Sequence, residues 1–291
     1  MGDFLPALMG SFSTPAGDNP TSAIMAASFR ATGEFARYVN CEVPPDGLGA
    51  AVRGAVAMGW LGFNCSLPHK QAVLSHLDEL TPAGSLIGAV NCVRIADGRL
   101  IGDNTDGKGF LESLTPLIDP RGRHAVLLGA GGAARAIAVE LALAGARRIT
   151  VVNRSAGRGR ELAALVASAG ETEASCVPWD FAFAVPSDAE ILVNATSIGM
   201  APQRELEPDL DYGALGPGLV VADVIPNPAA TRFLQRAREA GATTLDGRGM
   251  LVNQAAVAIQ QWTGRPADRA AMRTALDRAL DDPSSLADID A

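Results

Sequence analysis

The stretch HAVLLGAGGAARAIAVELALAGARRITVVNR (124–154) decides how the rest of the chain is read. It opens on a short apolar run of strand character and passes through glycines 129, 131 and 132. It then enters a helical run, and ends in a second strand, ITVVNR. A glycine-rich turn between strand and helix lets the backbone approach a pyrophosphate, whose charge is met by the N–H groups and dipole of the helix N-terminus. The pattern is GxGxxA, with Ala134 at the position where a small residue lets helix and strand pack closely. Such a motif alone is weak evidence, but inside a complete strand–helix–strand unit it marks a dinucleotide site. The expected cradle is the backbone of Gly129, Ala130, Gly131, Gly132 and Ala133.

The second strand runs into Asn153-Arg154-Ser155. An NAD site usually carries an acid here to grip the ribose 2′-hydroxyl. No acid stands at 153–155, and Arg154, Arg158 and Arg160 gather instead. A 2′-phosphate would be repelled by an acid and held by guanidinium forks, so NADP is expected over NAD. Arg158 and Arg160 have a second reading, as solvating residues of the following helix.

Working outward, strands and helices alternate from 106 to 244: ILVNAT and LVVADVI read as strands, RELAALVASAG and TRFLQRAREAGA as helices. Apolar strands alternating with helices imply a parallel, doubly wound α/β sheet, here a Rossmann-type domain. Residues 1–105 have a different texture, with short strands, helices and the hairpin GAVNCVRIADGRLIGDN turning at Asp97-Gly98. Two more helices, MLVNQAAVAIQQWTG and ADRAAMRTALDRAL, follow the dinucleotide domain, and the end DDPSSLADIDA is expected to fray.

A hydrophobic share of 48% and a charged share of 19% over 291 residues suit a folded two-domain protein. A net charge of −8 argues against nucleic acid or an anionic membrane as a general partner. The most apolar helical run is broken by Arg135 and Glu140, so it is expected to pack and not to span a membrane. The start, MGDFLPALMG, lacks the basic region of a signal peptide. Cysteines 41, 65, 92 and 176 show no CxxC spacing and read as buried free thiols of a cytoplasmic protein. Histidines 69, 76 and 124 form no metal-binding pattern, so no metal is expected.

Only two of the 24 basic residues are lysines, Lys70 and Lys108. Lysine can exchange a proton in a protein and arginine cannot, which singles out Lys70 in NCSLPHK (64–70) as a candidate for proton chemistry. Three other polar segments stand out: GAVN (88–91), GDNTDG (102–107) and GMLVNQ (249–254). With GAGGAA, NRS and NATSIGM (194–200), their order and spacing resemble the shikimate dehydrogenase family over nearly the whole chain.

That resemblance implies an N-terminal substrate-binding domain, 1–105, to which 245–291 returns, joined to an NADP-binding domain, 106–244. It places the catalytic lysine on Lys70 and its partner on Asp106. Substrate contacts fall on Ser66, Asn91 and Gln254, and further cofactor contacts on Asn153, Ser155, Thr196 and Gly249. The implied reaction is hydride transfer between a cyclic hydroxy acid such as shikimate and its 3-dehydro form. A lysine–aspartate pair would move the proton at the reacting oxygen. The implied partner is a small molecule, and the implied assembly a monomer or homodimer.

The residues keep other readings. Asp106 suits an N-cap of a helix starting near Gly107. Asn91 and Gln254 suit satisfied core polar groups, and Asn64 and Ser66 suit alternation on a half-buried strand.

Two positions depart from the family pattern. Its N-terminal HSxSP serines, which grip the substrate carboxylate, fall on Gly17 and Asn19 when the proline is aligned on Pro20; Ser11 and Ser13 precede that point. The tyrosine of DxxYxP is Pro226. Quinate or aminoshikimate dehydrogenase activity, and a non-catalytic NADP-binding protein with an eroded substrate site, are therefore the alternatives.

Overall fold

The computed structural model describes residues 4–17 and 19–281. Nearly all of DDPSSLADIDA lies outside the described residues. The chain divides into two compact units, Met1–Thr105 with Val252–Ala291, and Asp106–Leu251.

The first unit is built on a six-stranded sheet. Its elements are β1 (Ala7–Ser13), α1 (Thr21–Thr32), β2 (Ala36–Glu42), α2 (Leu48–Ala57), β3 (Gly62–Cys65), α3 (His69–Ala72), β4 (Glu79–Leu80), α4 (Pro82–Ile87), β5 (Cys92–Ala96) and β6 (Arg99–Asp103). The strand order is β2-β1-β3-β5-β6-β4, with β5 antiparallel to both neighbours and the other pairings parallel. The β5–β6 hairpin turns at Asp97 and Gly98, whose φ values of 51° and 75° are those of the tight hairpin turn that Asp-Gly favours. Phe12, Val52, Phe63 and Val93 belong to the core of this unit.

In this arrangement the ends of β2, β1, β3 and β6 and the start of β5 all fall on one edge of the sheet. Glu42, Thr14, Ser66, Asn91 and Asn104 therefore follow one another along that edge.

Helices α9 (Gly247–Thr263) and α10 (Arg269–Asp281) bring the C-terminal part of the chain back to this unit. Trp262 Nε1 donates to the carbonyl of Val93 at 2.9 Å, and the amide of Asp268 donates to Ser28 Oγ at 3.0 Å. The first bond ties α9 to the N-terminal sheet, and the second ties the start of α10 to α1.

The second unit contains β7 (His124–Leu128), α6 (Gly132–Leu143), β8 (Arg148–Asn153), α7 (Ala156–Ser168), β9 (Glu173–Pro178), β10 (Ile191–Asn194), β11 (Val220–Asp223), α8 (Arg232–Glu239) and β12 (Thr243–Leu245). All of α5 (Thr105–Leu114) beyond Thr105 also belongs here. The order β12-β11-β10-β7-β8-β9 is wholly parallel, the doubly wound arrangement in which the chain reverses direction beside β7. The strands β7, β10 and β11 are buried along their length, as expected of strands covered on both faces.

Strand β9 escaped the sequence reading because it is an edge strand of polar, alternately exposed residues (EASCVP). Helix α5 begins at Thr105, so Asp106 lies inside its first turn and is not the N-cap. Gly107 has no room for a side chain, since a Cβ there would sit 2.3 Å from the carbonyl oxygen of Ala136 in α6. Among the described residues no helix is long and apolar enough to cross a membrane. Cys65 and Cys92 are buried thiols, whereas Cys41 and Cys176 are only half-buried.

Candidate active site

Lys70 lies in α3, directly after the loop 66–68 that leaves β3. Local bonds hold this loop in place. The amide of Ser66 donates to the carbonyl of Phe12, the amide of His69 to the carbonyl of Ser66, and the amide of Val90 to the carbonyl of Lys70 at 2.7 Å. His69 is fully buried, and its Nε2–H donates to the Val43 carbonyl at 2.7 Å, which pins the helix carrying Lys70 to the end of β2. Burial pushes the Cys65 thiol up to about 12, and the nearby Lys70 charge opposes that rise. Ser66 is half-buried at the start of the loop.

One peptide beyond Val90, Asn91 sits at the centre of a buried polar junction. Its Oδ1 accepts the amide of Thr105 at 2.7 Å, and its Nδ2 donates to Thr105 Oγ1 at 3.1 Å and to Gln254 Oε1 at 3.5 Å. Its carbonyl accepts Asn64 Nδ2 at 2.8 Å, and Asn64 Oδ1 accepts the Tyr38 hydroxyl at 2.8 Å. Asn91 and Gln254, 163 residues apart, are thus brought together by the returning helix α9. Asp103 adds a second anchor: it accepts from the amide of Asn104 and from Gln261 Nε2 of the same helix at 2.6 Å. Thr105 begins α5 from this junction, and Asp106 follows it in the chain.

Sequence reading missed Thr105 and Tyr38 as part of this junction. Thr105 was visible within GDNTDG, whereas nothing local marks Tyr38, whose role follows from strand pairing.

Asn19 is committed locally. Its Oδ1 accepts the amide of Thr21 at the start of α1, and its carbonyl accepts Asn40 Nδ2. Ser11 and Ser13 are buried on β1, with Ser11 Oγ donating to Asn40 Oδ1 at 3.0 Å.

In the second unit the glycine loop has the shape its sequence calls for. Gly129 adopts φ +106°, where a Cβ would crowd the Ala195 carbonyl and Thr196 Cγ2 at 3.0 Å. A Cβ on Gly131 or Gly132 would meet nothing within 4 Å, so the N-terminus of α6 faces open space. Gly131, its N-cap, provides no side-chain cap, which leaves the first N–H groups of the helix available to an anion. These features fit a dinucleotide pyrophosphate.

Thr196 stands beside this loop, held by its own bonds to Asn194 Oδ1. Asn153 ends β8, and its Nδ2 donates to the Ser155 carbonyl at 2.8 Å, shaping the turn into α7, whose N-cap is Ser155. Arg154 and Arg158 are exposed around that turn, as a 2′-phosphate site requires. Arg160 lies beside Cys176 of β9, whose thiol its charge pulls down against the larger effect of burial.

Asp223, at the end of β11, accepts from Thr231 Oγ1 at 2.7 Å, from the amide of Ile225 at 3.1 Å and from Asn194 Nδ2 at 3.2 Å. Burial raises its carboxyl to about 6 against the pull of those three donors. It thereby fastens the loop 224–231, in which the carbonyl of Pro226 accepts Arg248 Nε at 3.1 Å. Gly249 lies in the first turn of α9, with its amide donating to Asp246 Oδ1 at 3.3 Å.

Models of three families match the chain. The shikimate dehydrogenase substrate binding domain matches residues 13–93, shikimate / quinate 5-dehydrogenase residues 115–201, and the shikimate 5'-dehydrogenase C-terminal domain residues 247–276. The shikimate dehydrogenase (NADP(+)) of Symbiobacterium thermophilum is 42% identical over 278 residues, 94% of this chain and 95% of that protein. Among solved structures, ligand-free 5-ketofructose reductase of Gluconobacter sp. strain CHM43 is similar with a TM-score of 0.92 and 54% identity, covering 94% of this chain and 99% of that one. Shikimate 5-dehydrogenase from Listeria monocytogenes, in complex with shikimate and NAD, gives a TM-score of 0.88 and 30% identity over 95% of this chain and 99% of that one.

Proposed function

Because this chain belongs to the shikimate dehydrogenase family, we propose that Lys70 and Asp106 handle the proton in an NADP-dependent interconversion of a ring alcohol and its ketone. The protein is an oxidoreductase acting on a CH–OH group, and it interconverts shikimate, or a closely related cyclic hydroxy acid, with the 3-dehydro form. Its cofactor is NADP. The backbone of residues 129–133 would hold the pyrophosphate. Asn153, Arg154, Ser155 and Arg158 would hold the 2′-phosphate end, and Thr196 and Gly249 the nicotinamide side. When bound, NADP supplies or accepts the hydride.

The chain's own residues do the rest. In the reducing direction Lys70 donates a proton to the carbonyl oxygen as negative charge builds there, and in the oxidising direction it takes the proton back. By the family resemblance Asp106 is assigned as the lysine's partner in that proton transfer. Ser66, Asn91 and Gln254 orient the ring hydroxyls by hydrogen bonds. The observation that carries this reading is the buried junction of Asn91, Thr105 and Gln254, whose mutual bonds place the start of α5 and hence Asp106. Its test is a panel of cyclic hydroxy acids and their ketones assayed with NADP(H) and NAD(H) by nicotinamide absorbance. Turnover of shikimate or a near relative with NADP is the expected result; cofactor binding with no turnover of any ring substrate refutes it.

A second reading, reduction of a neutral polyhydroxy ketone of the 5-ketofructose kind, has a specific observation behind it. The loop that leaves β1 carries Gly17 and Asn19 in place of the family's serine pair. Its Ala16 amide is given to Glu42, and the Asn19 side-chain oxygen and carbonyl are taken by Thr21 and Asn40, while the 54% identical relative is a 5-ketofructose reductase. The same panel, extended to neutral ketoses, ranks the two substrate classes.

A further inference from the structure

The edge of the N-terminal sheet carries an exposed carboxylate, Glu42, that the proton chemistry does not use. Glu42 ends β2 opposite Ser13 of β1, so it stands where the chain turns into the loop 14–20. That loop runs beside the segment bearing Lys70, because the amide of Thr14 donates to the carbonyl of Leu67 at 3.2 Å. Both carboxylate oxygens of Glu42 are engaged by it: the Thr14 hydroxyl donates to Oε1, and the amide of Ala16 donates to Oε2 at 2.6 Å. These two donors hold the carboxyl below its usual range, so it is charged at neutral pH. Among the described residues Glu42 has no basic partner, and its side chain faces solvent.

Beside Glu42, the polar groups described on β1 and its loop are mostly buried or already bonded. Ser11 and Ser13 are buried, the Asn19 Oδ1 and carbonyl are taken, and Gly17 has no side chain. Strands lie about 4.8 Å apart, so Glu42 is about 10 Å from the end of β3. A ring substrate reacting near Lys70 and lying along this edge would point a ring carboxylate toward Glu42.

We propose that Glu42, fixed by Thr14 and Ala16, is the specificity-determining residue of the substrate site: it repels a ring carboxylate and accepts hydrogen bonds from the hydroxyls of a neutral polyhydroxy ketone. This rests on the second reading above and deepens it. Two like charges about 6 Å apart, between the limits of water and protein surface, disfavour the charged ligand by about three- to a hundredfold. The discrimination is electrostatic, so salt weakens it.

The test is the ratio of kcat/KM for 3-dehydroshikimate to kcat/KM for 5-ketofructose, with NADPH, in wild type, Glu42→Gln and Glu42→Asp. Glutamine keeps one acceptor and loses the charge, and the ratio should rise about tenfold. Aspartate keeps the charge and releases the loop, and the ratio should stay near wild type. In wild type alone, raising the salt concentration should lift the ratio, a readout independent of how either variant folds. A ratio unmoved by Glu42→Gln and by salt overturns the inference, as does an equal rise in Glu42→Asp, which would assign discrimination to loop shape. Wild type reducing 3-dehydroshikimate but not 5-ketofructose also overturns it, while leaving the shikimate assignment standing. Wild type reducing neither ketone refutes the functional reading itself, and the inference falls with it.

Discussion

Replacing Asn91 with alanine tests whether the buried junction places the helix that carries Asp106. In the native protein the Thr105 amide has Asn91 Oδ1 as its acceptor at 2.7 Å, and Thr105 is fully buried. Alanine strands that donor away from water, at a cost of about 1–3 kcal/mol. The bond from Asn91 Nδ2 to Thr105 Oγ1 at 3.1 Å is a neutral one, contributing about 1 kcal/mol more. The Gln254 contact at 3.5 Å is at the limit of hydrogen bonding and adds little. The total is about 2–4 kcal/mol, measurable as a shift in urea midpoint at constant m.

Activity should suffer beyond this, because Asp106 follows Thr105 and a misplacement of about 1 Å costs about a hundredfold. Asn91→Asp separates the effects. It retains the acceptor for the Thr105 amide, and the Thr105 hydroxyl and Gln254 amide can both turn to donate. Its remaining cost is a buried charge, which raises the new carboxyl's pKa. Its deficit should therefore shrink as pH is lowered, while the alanine deficit stays. An Asn91→Ala protein within about 1 kcal/mol of wild type and within about threefold in kcat/KM would refute the assignment.

Lys70→Ala should lower kcat by about 10²–10⁴-fold with little change in KM, since the loss falls in the transition state. Lys70→Arg should not restore it, and stopped-flow traces with full activity in either variant would remove Lys70 from the proton path. Arg154→Ala should weaken NADP by about 1.5–3 kcal/mol and leave NAD nearly unchanged; equal weakening in calorimetric titrations would make the arginine structural. Asp223 supplies the pH test. Its carboxyl is raised from 3.8 to about 6, so its contribution is fully present below the unfolded value and is lost as pH rises to about 6. That loss is about 3 kcal/mol. Asp223→Asn should flatten this fall in urea stability between pH 4 and 7, and an unchanged slope would show that Asp223 is not the titrating group.

Most of the dinucleotide domain was legible, because its signals are local. A parallel sheet covered on both faces needs runs such as HAVLL and ILVNAT to be apolar throughout. The turn that admits a pyrophosphate needs glycine at 129, where φ is +106°. The residues suited to NADP stand together at 153–158 for the same reason, since one turn holds them.

Element limits were less legible where tertiary packing overrode the pattern. Helix α5 starts at Thr105 because Asn91, just before β5, accepts its amide, and β9 is a strand because β8 offers it an edge. The substrate site depended most on three dimensions. Asn91 and Gln254 could be named from their motifs, but only the return of α9 puts them 3.5 Å apart. Asn19 matched by alignment, yet its side-chain oxygen is spent on the first turn of α1. Nothing in the sequence marked Glu42. Its place follows from the parallel register of β1 and β2, which sets it opposite Ser13 and within reach of Thr14 and Ala16. Backbone conformation and apolar periodicity are properties of neighbours in the chain, whereas a buried polar bond or a fixed charge depends on which strand ends the fold brings side by side.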